Sequence, residues 1–378
     1  MTQPPPPPNG SWNPGPGGWP QGYPGGQPGP QWNPQQGWPQ TPPPPQKRGF
    51  VKWIIGGVAL VGVIAVTAVV AVSCTKSSGG TDKPTAAPTT SGAPTSDFAS
   101  ANDTGPVSVI TEDPSCAPWV PINNTWADVS NQGWAQRDPS IPATSWDPAT
   151  RGQYQAIGRA LRDAANQTER LVKLTPHRVM RELYEQFIAY ARPYADRIPV
   201  YVPKDNELAL TAVSAATAIS DVCQAISSGS AAARGPLLTG GEPPSKIGPV
   251  GDASNPLKFL VEENPVCDDW NKATDQFRND SADWAKIDAN IPAGQWTPEQ
   301  RDMYESMVPL LRSSADTLEQ LGRDSGNPTL EDFATLAAQY RRAFAEAIPT
   351  YSASDGHLYD VSLHSTGIVL GACDVLRE

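Results

Sequence analysis

Three hydrophobic patterns follow one another along this chain of 378 residues. Residues 1–46 show no periodic apolar positions. Tryptophan recurs there among proline, glycine and glutamine, as WNPGPGGWPQ at 12–21 and WNPQQGWPQ at 32–40. Trp53–Val72 is then a run of 20 residues without a charged side chain. At about 1.5 Å per residue such a helix reaches about 30 Å, the thickness of a bilayer core. From about residue 109 onward, apolar positions recur at three- and four-residue spacing, the period of helices that bury one face. Nothing in that region alternates as a strand would.

The helical region is written twice. EDPSCAPW at 112–119 is matched by EENPVCDDW at 262–270, and WAQRDPSIPATSWDPATRGQY at 134–154 by WAKIDANIPAGQWTPEQRDMY at 284–304. From 134 to 223 an offset of 150 holds without a gap and gives 24 identities in 90 positions. Recurrence at one fixed offset is the mark of duplication. The chain therefore divides into a tail (1–49), a membrane helix (50–73), a stalk (74–108), repeat 1 (109–228), a Gly/Pro-rich connector (229–259) and repeat 2 (260–378). The expected fold is all-α, a tandem pair of four-helix units.

Within each unit the first helix starts near a cysteine. The second starts at Asp147-Pro148 and at Thr297-Pro298, where a capping side chain precedes a first-turn proline. The third follows Thr175-Pro176 and Asn327-Pro328. It sets Met180, Leu183, Tyr184, Phe187, Tyr190, Ala191 and Tyr194 on one face. The fourth spans about 206–226 and 356–376, rich in small residues as a closely packed inner helix would be. In an up-down-up-down bundle the start of the first helix and the end of the fourth share a pole. Cys116 can thus meet Cys223, and Cys267 can meet Cys373. Such bonds belong to an oxidising compartment.

Lys47, Arg48 and Lys52 precede the apolar run, which favours a cytoplasmic N-terminus. The run is too long and too far from the N-terminus for a signal peptide. The chain is expected to contact the bilayer through Trp53–Val72 and to carry its repeats outside the cytoplasm. Cys74, just past the run, reads as a free thiol, an intermolecular disulfide or a lipidation site.

Composition sharpens this layout. Of 42 prolines and 32 glycines, 17 and 9 lie in residues 1–46, which hold no charge. Such a segment cannot offset its chain entropy by burial and is expected to be disordered. Beyond Lys76 the chain has 24 basic against 39 acidic side chains, a net of −15. That balance argues against binding nucleic acid.

Two residue sets stand out as candidate sites. Trp134, Asp138, Trp146, Arg151 and Tyr154 return as Trp284, Asp288, Trp296, Arg301 and Tyr304. They read as a fold motif, with packed tryptophans, a proline-shaped turn and an Asp–Arg pair, or else as an aromatic binding site. His357, Asp360 and His364 share one helical face and form a weak metal candidate; the acidic pairs Glu112-Asp113, Glu262-Glu263 and Asp268-Asp269 read as favouring a helix N-terminus or else as a calcium site, and no cofactor is implied. No nucleophile elbow, P-loop, HExxH or dinucleotide fingerprint occurs, so catalysis is not expected.

The MTQPPPPP start, the WNP/GWPQ tail, one membrane helix and a small Cys-stapled ectodomain together resemble uncharacterised proline-rich single-pass membrane proteins of mycobacteria and related actinobacteria. The resemblance implies a cell-envelope setting and carries over no catalytic residues. The expected function is a binding module for another envelope protein or envelope component. The alternatives are a receptor for a small ligand in a cleft between the repeats, or an envelope hydrolase with an unrecognised site. The oligomeric state is not legible.

Overall fold

The computed structural model describes residues 97–377. Among them are nine α-helices and no strand. Repeat 1 holds α1 (Cys116–Asn131), α2 (Pro148–Leu174), α3 (Arg178–Arg197) and α4 (Asn206–Ser227). A short α5 (Ser230–Arg234) opens the connector. Repeat 2 holds α6 (Cys267–Asp280), α7 (Pro298–Asp324), α8 (Pro328–Ala347) and α9 (Gly356–Leu376). The Pro-rich tail, the Trp53–Val72 run, Cys74 and the stalk up to residue 96 lie outside the described residues.

Local chemistry sets most of the helix starts. Asp147 accepts the Thr150 N–H at 2.7 Å, and Pro148 fits the first turn of α2. Thr297 and Gln300 close a capping box at α7, each side chain accepting the other's backbone N–H at 3.2 and 3.0 Å. Asn327 caps α8 through the Leu330 N–H at 3.0 Å. At α3, which follows Thr175-Pro176 as expected, Thr175 accepts the His177 N–H at 3.2 Å and donates its hydroxyl to Asp113, while the Arg178 N–H is capped at 2.6 Å by Asp103 from the segment ahead of repeat 1.

Each unit is closed by its own disulfide. Cys116 is bonded to Cys223 and Cys267 to Cys373, with Cα separations of 5.4 and 5.7 Å. Each bond joins the first turn of one helix to the last turns of the fourth.

The units meet through their fourth helices, which run antiparallel. Thr211 of α4 abuts Gly371 of α9, while Asp221, further along α4, meets His364, further back along α9. Small residues permit this approach. A Cβ on Gly371 would come within 2.5 Å of Thr211 Oγ1 and 3.4 Å of its Cα. Gly371→Ala is therefore expected to cost about 1–3 kcal/mol through overpacking, read as a lower urea midpoint. An unchanged midpoint would mean that the helices can part freely. Pro203–Ser227 is long and apolar enough to cross a membrane, but 67% of its most apolar window is buried within the protein, as befits a core helix.

Each segment ahead of a first helix also reaches the other repeat. Ile110, at the start of repeat 1 and ahead of α1, donates its N–H at 3.1 Å to Tyr340 of α8 in repeat 2. Leu257 and Phe259, before repeat 2, are held by Gln186 of α3 in repeat 1. The Gln186 amide donates to the Leu257 carbonyl at 3.0 Å and accepts the Phe259 N–H at 3.1 Å. Helices α3 and α8 are thus covered on the side away from their own bundles.

Candidate functional site

The repeated motif forms the same corner twice. Trp146 donates its indole N–H to the Ile141 carbonyl at 2.8 Å, and Trp296 to Ile291 at 2.9 Å. Each ring stacks on a tyrosine eight residues on, Tyr154 or Tyr304, with centroids 3.8 and 3.9 Å apart. Tyr201 and Tyr351 close the stacks and donate to the Pro139 and Ala289 carbonyls, both at 2.7 Å.

The expected Asp–Arg pair is not formed. Arg151 and Arg301 donate to the Ala143 and Ala293 carbonyls at 2.7 and 2.8 Å. Asp138 accepts from the side chain and N–H of Ser140, and Asp288 from the N–H and side chain of Asn290. These bonds hold both carboxyls below the usual carboxylate range. The aspartates complete their own turns, leaving the arginines to tie the turn to the following helix.

Trp134 and Trp284 are buried beside these corners. Trp134 donates to Tyr194 at 3.0 Å, under the Arg137 guanidinium, and Trp284 meets Tyr304, Phe344 and Tyr359 edge-on. All four motif tryptophans are at most 9% exposed. Their faces are covered by protein, which leaves no platform for a stacked sugar.

Nor does the expected metal set assemble. His357 Nδ1 lies 3.9 Å from Asp360, whereas His364 turns across the seam to Asp221 at 2.6 Å. Among the described residues no three His, Cys, Asp or Glu side chains come together to hold a metal ion. Helical spacing placed the three residues on one face, but that face packs against α4. Burial lifts the Asp360 carboxyl to about 7, with the Asp221 charge adding to it. Burial opposes charge on His364, yet Asp221 and Asp360 raise its pKa overall.

The space between the repeats is filled by α4 and α9, so a ligand cleft there is closed. Open hollows lie elsewhere. One of about 320 Å³ sits between α1 and α2, beside Trp126 and Ala160. Another of about 440 Å³ lies between repeat 2 and connector residues 237–242, where Arg312, Arg323 and Arg342 are paired with Glu346, Glu319 and Asp316.

The feature that sequence reading missed is a buried charged cluster where α3 meets α8. Arg178, 1% exposed, grips Asp332 through Nε at 2.6 Å and Nη2 at 2.9 Å, and also donates to the Asp103 and Gly105 carbonyls. Beside it lie Arg181, Glu182 and Glu185 of α3, with Arg181 3.4 Å from Glu182 and 3.6 Å from Glu185. Burial, then the Asp332 charge, raise the Glu182 carboxyl well above the usual range, although Arg181 opposes them. Burial lifts Glu185 to about 7. Such convergent carboxyls are the kind a hydrolase would use. Here Glu182 and Asp332 are 2% and 1% exposed, so no substrate reaches them. The one signal in the sequence was that Glu182 and Asp332 are equivalent at the offset of 150.

A family model for mycobacterial ESX-1 associated proteins matches residues 98–377. An uncharacterised protein of Mycolicibacterium smegmatis (strain MKD8) is 46% identical over 339 residues, covering 90% of both chains. No solved structure matches significantly. The mycobacterial kinship expected from the layout is supported by both matches, while the tail and membrane span lie outside the described residues. With the whole helical region matched, the chain belongs to the mycobacterial ESX-1 associated protein family.

Proposed function

We propose that the chain is a single-pass envelope protein whose paired helical units stand outside the cytoplasm and bind a protein component of the ESX-1 secretion apparatus. The observation that carries this reading is the disulfide at the same place in each repeat. Such bonds persist in oxidising compartments. The family description supports a secretion-related role. The uncharged run Trp53–Val72 and the preceding lysines and arginine supply the membrane anchor and its orientation.

The role is binding rather than catalysis, because the convergent carboxyls are sealed and the repeated corners are structural. The connector is the surface best suited to a partner. It exposes Leu257 by 78%, and the start of repeat 2 that follows exposes Val261 by 76%, beside the acidic Glu262 and Glu263. Gln186 fixes the backbone beneath Leu257. The fitting partner is a protein surface with an apolar socket and a basic rim.

A membrane-impermeant crosslinker applied to intact cells tests this. The expected product joins the connector region to an ESX-1 component, and Leu257→Asp/Val261→Asp abolishes it while the protein stays folded. Crosslinking to cytoplasmic proteins alone would overturn the reading, as would an unchanged product in the double variant.

A further inference from the structure

The charged cluster at the α3–α8 contact is covered by one stretch of connector. Ser245 donates its N–H at 2.9 Å and its hydroxyl to Glu331, which neighbours Asp332 on α8. Gly248 is the only buried residue between 242 and 250, and a Cβ on it would lie 3.7 Å from Glu182 Oε1. The stretch thus rests directly on the Glu182 carboxyl.

The groups around Glu182 do not balance if all are ionised. Arg178 and Arg181 of α3 supply two positive charges. Against them stand Glu182 and Glu185 of α3 with Glu331 and Asp332 of α8, while Asp103 from the segment ahead of repeat 1 lies 4.0 Å from Arg178. Arg178 donates from Nε and Nη2 to the two Asp332 oxygens. Glu182 Oε2 meets no donor among the described residues. A proton on Glu182 removes one excess charge and supplies the missing hydrogen bond, donated to Asp332. Two carboxyls in one buried site share a proton for this reason.

We infer that the connector around Ser245–Gly248 is a proton-responsive strap, closed while Glu182 and Asp332 hold one proton between them and lifted when that proton leaves. An ionised Glu182 is a buried charge beside Asp332, paired among the described residues only with an Arg181 that Glu185 shares, and water can reach it only if the strap opens. The closed form holds the proton and the open form releases it, so rising pH favours opening. Glu185 on the same helix loses its proton near neutrality and adds to the repulsion.

The test is amide hydrogen exchange on the full-length protein across pH 5–9, corrected for the intrinsic rate. Release of one proton predicts that protection of the Ser245 amide falls by about tenfold per pH unit above the open-state pKa of Glu182. In Glu182→Gln, the tenfold fall per pH unit should be lost, leaving at most the shallower dependence that Glu185 contributes. Flat wild-type protection overturns the inference, and so does a Glu182→Gln variant that loses protection as the wild type does. Should that variant not fold, infrared spectroscopy of protein that keeps Glu182 decides. A protonated-carboxyl band beyond those of Glu185, Glu207 and Asp360, identified by its persistence in the Glu185→Gln/Glu207→Gln/Asp360→Asn background, must be present at neutral pH and must fade over the pH span in which Ser245 loses protection. A band that is absent, or that outlasts the closed strap, overturns the inference.

Discussion

Replacing Cys116 and Cys223 together by serine is expected to cost the helical domain about 4–5 kcal/mol. The bond closes a loop with a sequence separation of 107, and its loss frees that loop in the unfolded chain. The matching change at Cys267 and Cys373, with a separation of 106, should cost nearly the same. Total stability of a domain is about 5–15 kcal/mol, so either double variant should survive with little margin. Its melting temperature should fall by roughly 10–15 °C. Thermal unfolding of purified variants measures this directly. A loss below about 1 kcal/mol would mean that the seam between repeats already restrains the loop when the chain unfolds.

Arg178→Ala is expected to be as damaging although it removes no covalent bond. Arg178 joins repeat 1 to Asp332 of repeat 2 and to the backbone at Asp103 and Gly105. Removing one partner of a buried ion pair leaves the other charge without compensation, at a cost of about 3–5 kcal/mol. Arg178→Lys should recover little, because an ammonium cannot engage both carboxylate oxygens while reaching two carbonyls. Arg178→Ala/Asp332→Ala should recover more than Arg178→Lys, since it removes the stranded charge. The control is Arg162→Ala. Arg162 pairs with Asp196 at 2.7 Å, but their side chains are 43% and 68% exposed. That pair should contribute less than about 1 kcal/mol. Urea midpoints of the four variants give the ranking. Equal losses for Arg178→Ala and Arg162→Ala would mean that the cluster does not join the repeats.

What could be read from the sequence was either local or repeated. The Thr297–Gln300 box and the Asp147 cap lie within four residues of the helix they start. The cysteine pairing followed from the recurrence of the same spacing in two copies. The reach of the segments around Ile110 and Leu257 into the other repeat could not be read this way, because neither a local pattern nor the recurrence marks a partner there. Helix α3 shows the same limit. Its apolar face marked the side turned to its own bundle, and nothing in that spacing says what lies against Arg178, Arg181, Glu182 and Gln186. They are buried because α8 and the connector cover them. The corner motif was misread for another reason. Asp138 and Asp288 each stand two residues before a polar side chain, Ser140 or Asn290, which is the pattern of an aspartate closing its own turn. That spacing was present in both copies and outranked the more distant arginine.

Two disulfide-closed units packed through α4 and α9, which we propose to stand outside the cytoplasm, are the core of this protein's design. Peptide mapping without reduction, on protein from cells alkylated before lysis, tests this most directly. It should recover Cys116 linked to Cys223 and Cys267 linked to Cys373. Alkylated thiols at these four positions would contradict the compartment, and a Cys116–Cys267 link would contradict the fold.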